Sequence, residues 1–415
     1  MKNDNFKFNS NISELIEQDG NISILSDFLK RLHIQEGDIS KIIEFLIKNE
    51  ILSYRQQKGW SINEEYIASM ENNVKNKNYD SIKHNLPAET TEFIGREDEI
   101  EKVRSLLEKA RLVTLVGPGG IGKSRLALKV ARLSLSKYND GVFWIPAAQI
   151  SEKELLLSNI AKVLNIPEIQ GQDSFDAIKI ALKNKRVLII LDDFDHLTHS
   201  APILTDLLTA SANLSLIVTS RQPLSVYGEH LFVVPPLEMP NLASDLTIEL
   251  LEKRPAVSLF LARAKALKND FSLSEENARK IARLCISLEG IPLAIELAAA
   301  NIAKISVNTM LQHSQNRLTW LVSGQKNMPE KHRTMKNCIE WGYNLLSVEQ
   351  KQIFKRLGVF KGKFSLNSAS AVINQNKDIE NLYDNLLELV NKGFLIIDLD
   401  SNEKEECCFN MLEIY

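Results

Sequence analysis

The sequence predicts an α/β protein built around a parallel sheet and followed by helical modules, and three observations carry that prediction. Short apolar runs recur at 112–116, 142–146, 187–191, 214–219 and 231–234. Helical patterns separate most of them, the arrangement that covers a parallel sheet on both faces and makes its strands read as unbroken apolar runs. Between the first run and the next helix lies Gly117-Pro118-Gly119-Gly120-Ile121-Gly122-Lys123-Ser124, which fills every fixed position of the pattern G-x-x-x-x-G-K-[ST].

Composition sets the bounds. A chain of 415 residues is long enough for two to four domains with ordinary cores. An apolar content of 44% and a charged content of 25% are those of a globular protein. The net charge of −3 argues against a strongly basic nucleic-acid-coating protein. Met1-Lys2-Asn3-Asp4-Asn5-Phe6 opens without the apolar run of a signal peptide. No stretch approaches the ~18 uninterrupted apolar residues of a spanning helix, so a cytoplasmic location without membrane partners is expected. Cys285, Cys338, Cys407 and Cys408 fit neither a zinc pattern nor a disulfide framework, and reduced thiols are expected.

Residues 1–70 predict a small unit. Ile12, Leu15 and Ile16 share one helix face, Leu25, Phe28, Leu29 and Leu32 a second, and Ile39, Ile42, Ile43 and Leu46 a third. Ile51 to Gln56, the turn Lys58-Gly59 and Trp60-Ser61-Ile62 then predict a hairpin, completing the outline of a winged helix. Residues 71–90 are polar and asparagine-rich and read as a linker. The α/β domain occupies 91–240, with the helix after the glycine loop expected from Lys123 to Lys137.

Residues 241–328 are helical. Ala278, Ile281, Ala282, Cys285 and Leu288 repeat at helical spacing, Ser274 is the expected N-cap, Gly290 closes the helix and Pro292 opens the next. Residues 329–415 again read as a winged helix. Met335, Ile339 and Leu346 mark one helix, and Ser347 with Gln350 make a capping box for another. Ile379, Leu382, Leu386 and Leu389 mark a third, ended by Gly393, and Phe394–Leu399 and Cys408–Ile414 are the wing strands. Trp320 and Trp341 read as core residues.

The glycine loop predicts a phosphate site. Glycines let backbone N–H groups converge on phosphate oxygens, and the helix that follows adds its positive end. Lys123 would reach the outer phosphates, Arg125 lies one residue further into the helix, and the Ser124 hydroxyl would hold Mg²⁺. A metal partner follows in Val187-Leu188-Ile189-Ile190-Leu191-Asp192-Asp193, an apolar strand ending in two carboxylates. Asp192 supplies the hard oxygen that Mg²⁺ prefers, and Asp193 is placed to act as general base toward water. Arg221, ending the next strand, suits the terminal phosphate because its fork binds two oxygens at once. His196 and His199 lack a third ligand and read as a solvated helix start.

Together these residues resemble the NB-ARC group of STAND signalling ATPases, and most of all its bacterial LuxR-type and antibiotic-regulator-associated modules. The resemblance covers about 93–415 and includes Phe93-Ile94-Gly95-Arg96-Glu97, Gly117 to Ser124, Asp192-Asp193-Phe194, Thr219-Ser220-Arg221 and Gly290-Ile291-Pro292-Leu293-Ala294. Arg333-Thr334-Met335, Trp341, Phe360 and Phe364 extend it. It implies a nucleotide domain, a helical lid and a winged-helix lock. It places Phe93–Glu97 by the adenine and Pro292 against the nucleotide. It also implies a closed ADP form, ATP-driven rearrangement and frequent homo-oligomers. Met411-Leu412-Glu413 stands where many eukaryotic relatives carry Met-His-Asp, and leucine cannot donate to a phosphate. Family members continue beyond this point into a helix and sensor repeats.

The leading functional expectation is an ATP/ADP switch with slow Mg²⁺-dependent hydrolysis, coupled to signalling or transcription through a protein effector. A DNA-binding regulator using residues 1–70 is the alternative. Residues 1–90 carry 11 Lys and Arg against 14 Asp and Glu, which favours a protein contact over DNA. A small-molecule kinase or motor is the third reading, and no acceptor site stands out for it.

Overall fold

The computed structural model describes residues 52–55, 59–62, 82–150, 152–167, 173–244, 247–313, 317–322, 330–373, 379–398 and 408–411. The chain divides into two compact units, 1–81 and 82–415. In the first, β1 (Leu52–Arg55) pairs antiparallel with β2 (Gly59–Ile62), as the hairpin reading expects. The three helices expected over residues 12–46 lie outside the described residues.

The second unit opens with an extended segment along a sheet edge. The Lys83 carbonyl accepts from the Val142 N–H at 3.0 Å, and the Asn85 side chain both donates to and accepts from the Trp144 backbone. Helix α1 (Glu97–Lys109) follows, with three acidic residues in its first turn to complement the helix dipole. The sheet is then built from β3 (Leu112–Val116), β4 (Gly141–Pro146), β5 (Val187–Asp192), β6 (Leu214–Ser220) and β7 (Glu229–Val233). All neighbouring pairs are parallel and the order is β4-β5-β6-β3-β7. Helices α2 (Lys123–Leu133), α3 (Lys153–Val163), α4 (Ser174–Leu182) and α5 (Pro202–Ala210) connect the strands. Ile189, Leu191, Leu216 and Val218 pack under Leu156, Ile160, Ile178 and Leu204.

Two expectations about this sheet change. Helix α2 ends at Leu133, and 135–137 form a separate 3₁₀ turn. Strand β7 is no buried strand: it is the sheet's edge, with Leu231 and Val233 exposed. A continuous apolar run fits either situation, so periodicity alone does not separate them.

A helical bundle follows, with α6 (Ile248–Lys253), α7 (Pro255–Lys265), α8 (Ala278–Ser287), α9 (Pro292–Ala300), α10 (Val307–Gln312) and α11 (Arg317–Trp320). Ser274 is not the cap of α8. Its N–H is bound by the Asn277 side chain, and Asn277 is the N-cap residue. Two side-chain oxygens competed for one turn, and the amide of Asn277 is the one that bonds back to the backbone. Pro292 occupies the first turn of α9, as expected.

The last part holds α12 (Glu330–Arg333), α13 (Met335–Asn344), α14 (Val348–Leu357), β8 (Lys363–Ser365), α15 (Leu366–Ile373), α16 (Ile379–Asn391), β9 (Leu395–Asp398) and β10 (Cys408–Met411). The three strands form one antiparallel sheet in the order β8-β10-β9. The capping box of Ser347 and Gln350 is formed. Leu357, Leu386, Leu389 and Phe409 make the core. Trp341 is 45% exposed and does not belong to it. Its neighbours on α13 that are buried are Cys338 and Gly342, because that side of the helix faces the sheet domain. Leu412 and Glu413 lie outside the described residues.

Gly290 joins the bundle to the sheet domain. Its φ is 65°, its carbonyl accepts from the Leu237 N–H at 2.9 Å, and an added Cβ would lie 2.4 Å from the Leu237 carbonyl oxygen. Gly290→Ala is therefore expected to cost about 2 kcal/mol or more in chemical unfolding, and a change below about 0.5 kcal/mol would contradict this packing.

Candidate nucleotide-binding site

The site grows from the carboxyl end of β3. Helix α2 starts at Lys123 directly after the glycine loop, and Gly122 at its N-cap has φ 96° and provides no capping side chain. The opening N–H groups of α2 thus face the loop uncapped, a ready anion site. Lys123 folds over the loop, donating from Nζ to the Gly117 carbonyl at 2.8 Å and to the Pro118 carbonyl at 3.2 Å. Burial pushes its ammonium below the ordinary lysine value, Asp195 and Asp193 oppose that shift, and Arg221 adds to it.

The acidic side comes from β5 and β6 as neighbours. Thr219 Oγ1, at the end of β6, donates to Asp192 Oδ1 at 2.7 Å and accepts from the Asp193 N–H at 2.9 Å. Asp193 adopts φ 62°, an uncommon conformation for a residue with a side chain. Its side chain lines the cavity together with Ser124 and Lys123.

Arg221 is held by a residue the sequence reading passed over. Asp195 accepts the Arg221 backbone N–H at 2.6 Å through Oδ1, and its Oδ2 lies 3.3 Å from Arg221 Nε. Both residues are buried, at 8% and 7% exposure. The far end of Arg221 donates to the Cys338 carbonyl of α13 at 3.3 Å. Gly342, one turn on, leaves room for it: a Cβ there would stand 1.9 Å from Arg221 Nη1.

The opposite wall is apolar with a cationic rim. Phe93, Ile94, Leu237, Leu259, Pro292 and Leu293 line it. Arg96 Nη2 donates to the Ile121 carbonyl at 2.8 Å and the Pro235 carbonyl at 2.9 Å, while its buried Nη1 has no hydrogen-bond partner among the described residues. Burial lowers the pKa of Arg96, and Glu99 opposes it. Arg125 donates to the Thr91 and Glu92 carbonyls and to Glu296, which also binds Arg263 at 3.0 Å. The guanidinium of Arg125 and the ammonium of Lys129 both stand over the Phe93 ring.

The structure therefore brings Phe93, Ile94, Arg96, Gly119, Gly120, Gly122, Lys123, Ser124, Arg125, Asp193, Arg221 and Pro292 to one cavity of about 170 Å³. Gly95, Gly117, Pro118, Ile121 and Asp192 stand behind that lining, and Asp192 reaches the site through Thr219. Asp195, Leu237, Leu259 and Glu296 were not singled out from the sequence. Thr219 and Leu293 were named there only as parts of the Thr219-Ser220-Arg221 and Gly290-Ile291-Pro292-Leu293-Ala294 motifs; Glu296, four residues past Pro292, carried no signal. His196 sits against the Ile150 carbonyl and not in the cavity. No cluster of three or more His, Cys, Asp or Glu able to hold a metal occurs among the described residues. The uncapped helix start and the desolvated Lys123 fit a polyphosphate.

The NB-ARC domain model matches residues 96–256. The uncharacterized protein Rv0894 of Mycobacterium tuberculosis (strain ATCC 25618 / H37Rv) is 31% identical over 322 residues, which are 77% of this chain and 78% of that protein. This chain belongs to the NB-ARC family. A second protein of the same strain, Rv0890c, named as an HTH-type transcriptional regulator, is 31% identical over 298 residues, 71% of this chain and 32% of its own length. The regulatory protein AfsR of Streptomyces coelicolor (strain ATCC BAA-471 / A3(2) / M145) is 25% identical over 331 residues, 73% of this chain and 30% of its own length. This NB-ARC chain thus spans about a third of those two longer regulators. No helix among its described residues is long and apolar enough to cross a membrane.

Asp195 is expected to be structurally essential to the site. Asp195→Ala leaves the buried Arg221 guanidinium without its carboxylate, and about 3 kcal/mol should be lost in urea unfolding. A loss under about 1 kcal/mol would show that Arg221 does not depend on Asp195.

Proposed function

We propose that this chain is a nucleotide-controlled switch, binding ATP and ADP with Mg²⁺ and hydrolysing ATP slowly, within a cytoplasmic regulatory protein. The observation that carries this reading is the convergence on one glycine loop of an apolar wall from the bundle, an arginine bound to α13, and a carboxylate from β5. An enzyme built for turnover needs room for an acceptor. Here the space above the loop is walled by the chain's own later helices.

Each residue has a role in this reading. The loop amides and Lys123 bind the outer phosphates. Phe93, Ile94 and Pro292 hold the base, and Arg96 and Arg125 flank it. Ser124 and Asp192 would hold Mg²⁺, with Thr219 fixing the carboxylate. When bound, the ion would spread the charge of the phosphate chain and so favour its cleavage. Asp193 accepts a proton from the attacking water. Arg221 reads the terminal phosphate. Its guanidinium is already donated to the Cys338 carbonyl, so a γ-phosphate competes with α13 for the same group. ADP leaves that contact in place; ATP weakens it and shifts the balance toward a form in which α13 is released. The shift equals the difference in affinity for the two forms, about tenfold per 1.4 kcal/mol. Release would expose surfaces for a homo-oligomer or an effector protein. The domain limits 91–240, 241–328 and 329–415 are the moving parts of this scheme.

A second reading, a DNA-binding regulator with residues 1–70 as the reader, draws support from the name of the Rv0890c relative and from the β1–β2 hairpin. The acidic balance of residues 1–90 weighs against it.

Lys123→Ala is expected to weaken ADP binding by about 100-fold or more in calorimetry. Asp193→Asn should bind ADP as the wild type does and hydrolyse ATP at least about 100-fold more slowly in single-turnover assays. Unchanged affinity in the first variant would end the phosphate-site reading, and unchanged turnover in the second would remove Asp193 from the base role.

A further inference from the structure

The amino ends of the strands carry a second cavity, at the pole of the sheet opposite the glycine loop. Its residues come from immediately before the strands or at their start: Arg111 before β3, Tyr138 before β4, Arg186 before β5 and Ser215 at the start of β6. Helix α1 adds Arg104 and the 3₁₀ turn adds Lys137. The five residues of β3 separate the two cavities by about 16 Å at 3.3 Å per residue. The space measures about 600 Å³, within the range of small-molecule sites.

Four cations line this cavity in a protein whose net charge is −3. The single carboxylate in the lining, Glu108, is already paired with Lys137. Arg104 gives Nη1 to Glu101 at 2.9 Å, and its buried Nε has no hydrogen-bond partner among the described residues. Arg111 spends Nη1 on the Leu208 and Ser211 carbonyls at 2.6 and 3.0 Å, which fixes the guanidinium in place at the end of α5. The Arg186 guanidinium has no ion-pair partner among the described residues. The floor is polar: the hydroxyl-bearing Tyr138 and Ser215 line it and are buried at 5% and 7% exposure. Burial pushes the Tyr138 hydroxyl pKa up, so it stays protonated and can donate.

The anchored Arg111 fork, the unpartnered Arg104 Nε, the Arg186 guanidinium and a hydroxyl floor match the oxygens of a phosphate better than those of any neutral ligand. A carboxylate would satisfy one fork; a phosphate or pyrophosphate has oxygens for several. We propose that this cavity binds a phosphate-bearing small molecule, held by Arg104, Arg111 and Arg186 and seated on Tyr138 and Ser215. The lining cations converge on one hydroxyl-floored space, which suits a free small molecule, whereas a nucleic-acid backbone would need a basic groove that tracks along it. Helix α1 runs from Arg96 at the nucleotide cavity to Arg104 and Glu108 at this one, so both ends of one helix meet a ligand.

The test uses the full chain carrying Lys123→Ala, with pyrophosphate as the probe in calorimetry, and the same chain with Arg104→Gln and Arg186→Gln added. Both changed arginines lie outside the nucleotide cavity. Saturable pyrophosphate binding that weakens at least about tenfold in the added variants, with unchanged circular dichroism and unfolding midpoint, supports the site. Arg186→Gln alone, at an exposed residue, gives the same reading if the double change fails to fold. Pyrophosphate binding that is absent, or equal in both chains, overturns it. A duplex DNA fragment bound in an Arg186-dependent manner without pyrophosphate binding also overturns it, in favour of a nucleic-acid surface.

Discussion

The backbone of residues 117–122 is approached so closely by other parts of the chain that only glycine fits at its key positions. A Cβ on Gly119 would lie 2.7 Å from Cys338 Sγ and 2.9 Å from Arg221 Nη2, and one on Gly120 would lie 2.9 Å from the Cβ of Leu293. From the other side, a Cβ on Gly393 would come within 3.0 Å of the Pro118 nitrogen. Real Cβ atoms do not tolerate such distances without a shift of their neighbours. One loop is therefore the shared floor of the strand domain, the helical bundle and the C-terminal segment that carries α13 and Gly393. A small displacement of this loop must be felt by all three, because packed surfaces of this kind hold discrete arrangements and do not yield smoothly.

Strand order adds the second constraint. Placing β6 between β3 and β5 sets Thr219, Ser220 and Arg221 between the glycine loop and the acidic strand end. Thr219 can then serve both Asp192 and Asp193, and Arg221 can reach α13 while its backbone is held by Asp195. The same hydrogen-bond network that orients the carboxylates also positions the group that touches α13. Chemistry at the phosphate and the fit of the distant domain are connected through one strand end, without a long pathway of intermediates.

Much of this was legible in the sequence, for physical reasons that are local. The glycine loop, the apolar strands, the Pro292 helix start and the capping box of Ser347 and Gln350 each depend on residues a few positions apart. What escaped depends on partners far along the chain. Asp195 became important only once β5 and β6 lay side by side. Glu296 matters because it meets Arg125, 171 residues earlier, and Arg263. Gly342 drew no attention in the sequence, and in the structure it gives clearance to Arg221. Trp341 was expected in the core because it is large and apolar, yet the side of α13 turned inward is that of Cys338 and Gly342. Likewise β7 reads like its neighbours, and only the sheet order reveals it as an edge.

In the proposed switch, nucleotide at the loop is felt by three separate segments of chain. Hydrogen-exchange mass spectrometry of the full protein with and without Mg-ADP tests it directly. Added protection is predicted at 117–126, and also at 291–297 and 335–344, each of which touches the loop or Arg221. Protection confined to 117–126, with the other two segments exchanging as before, would contradict the claim.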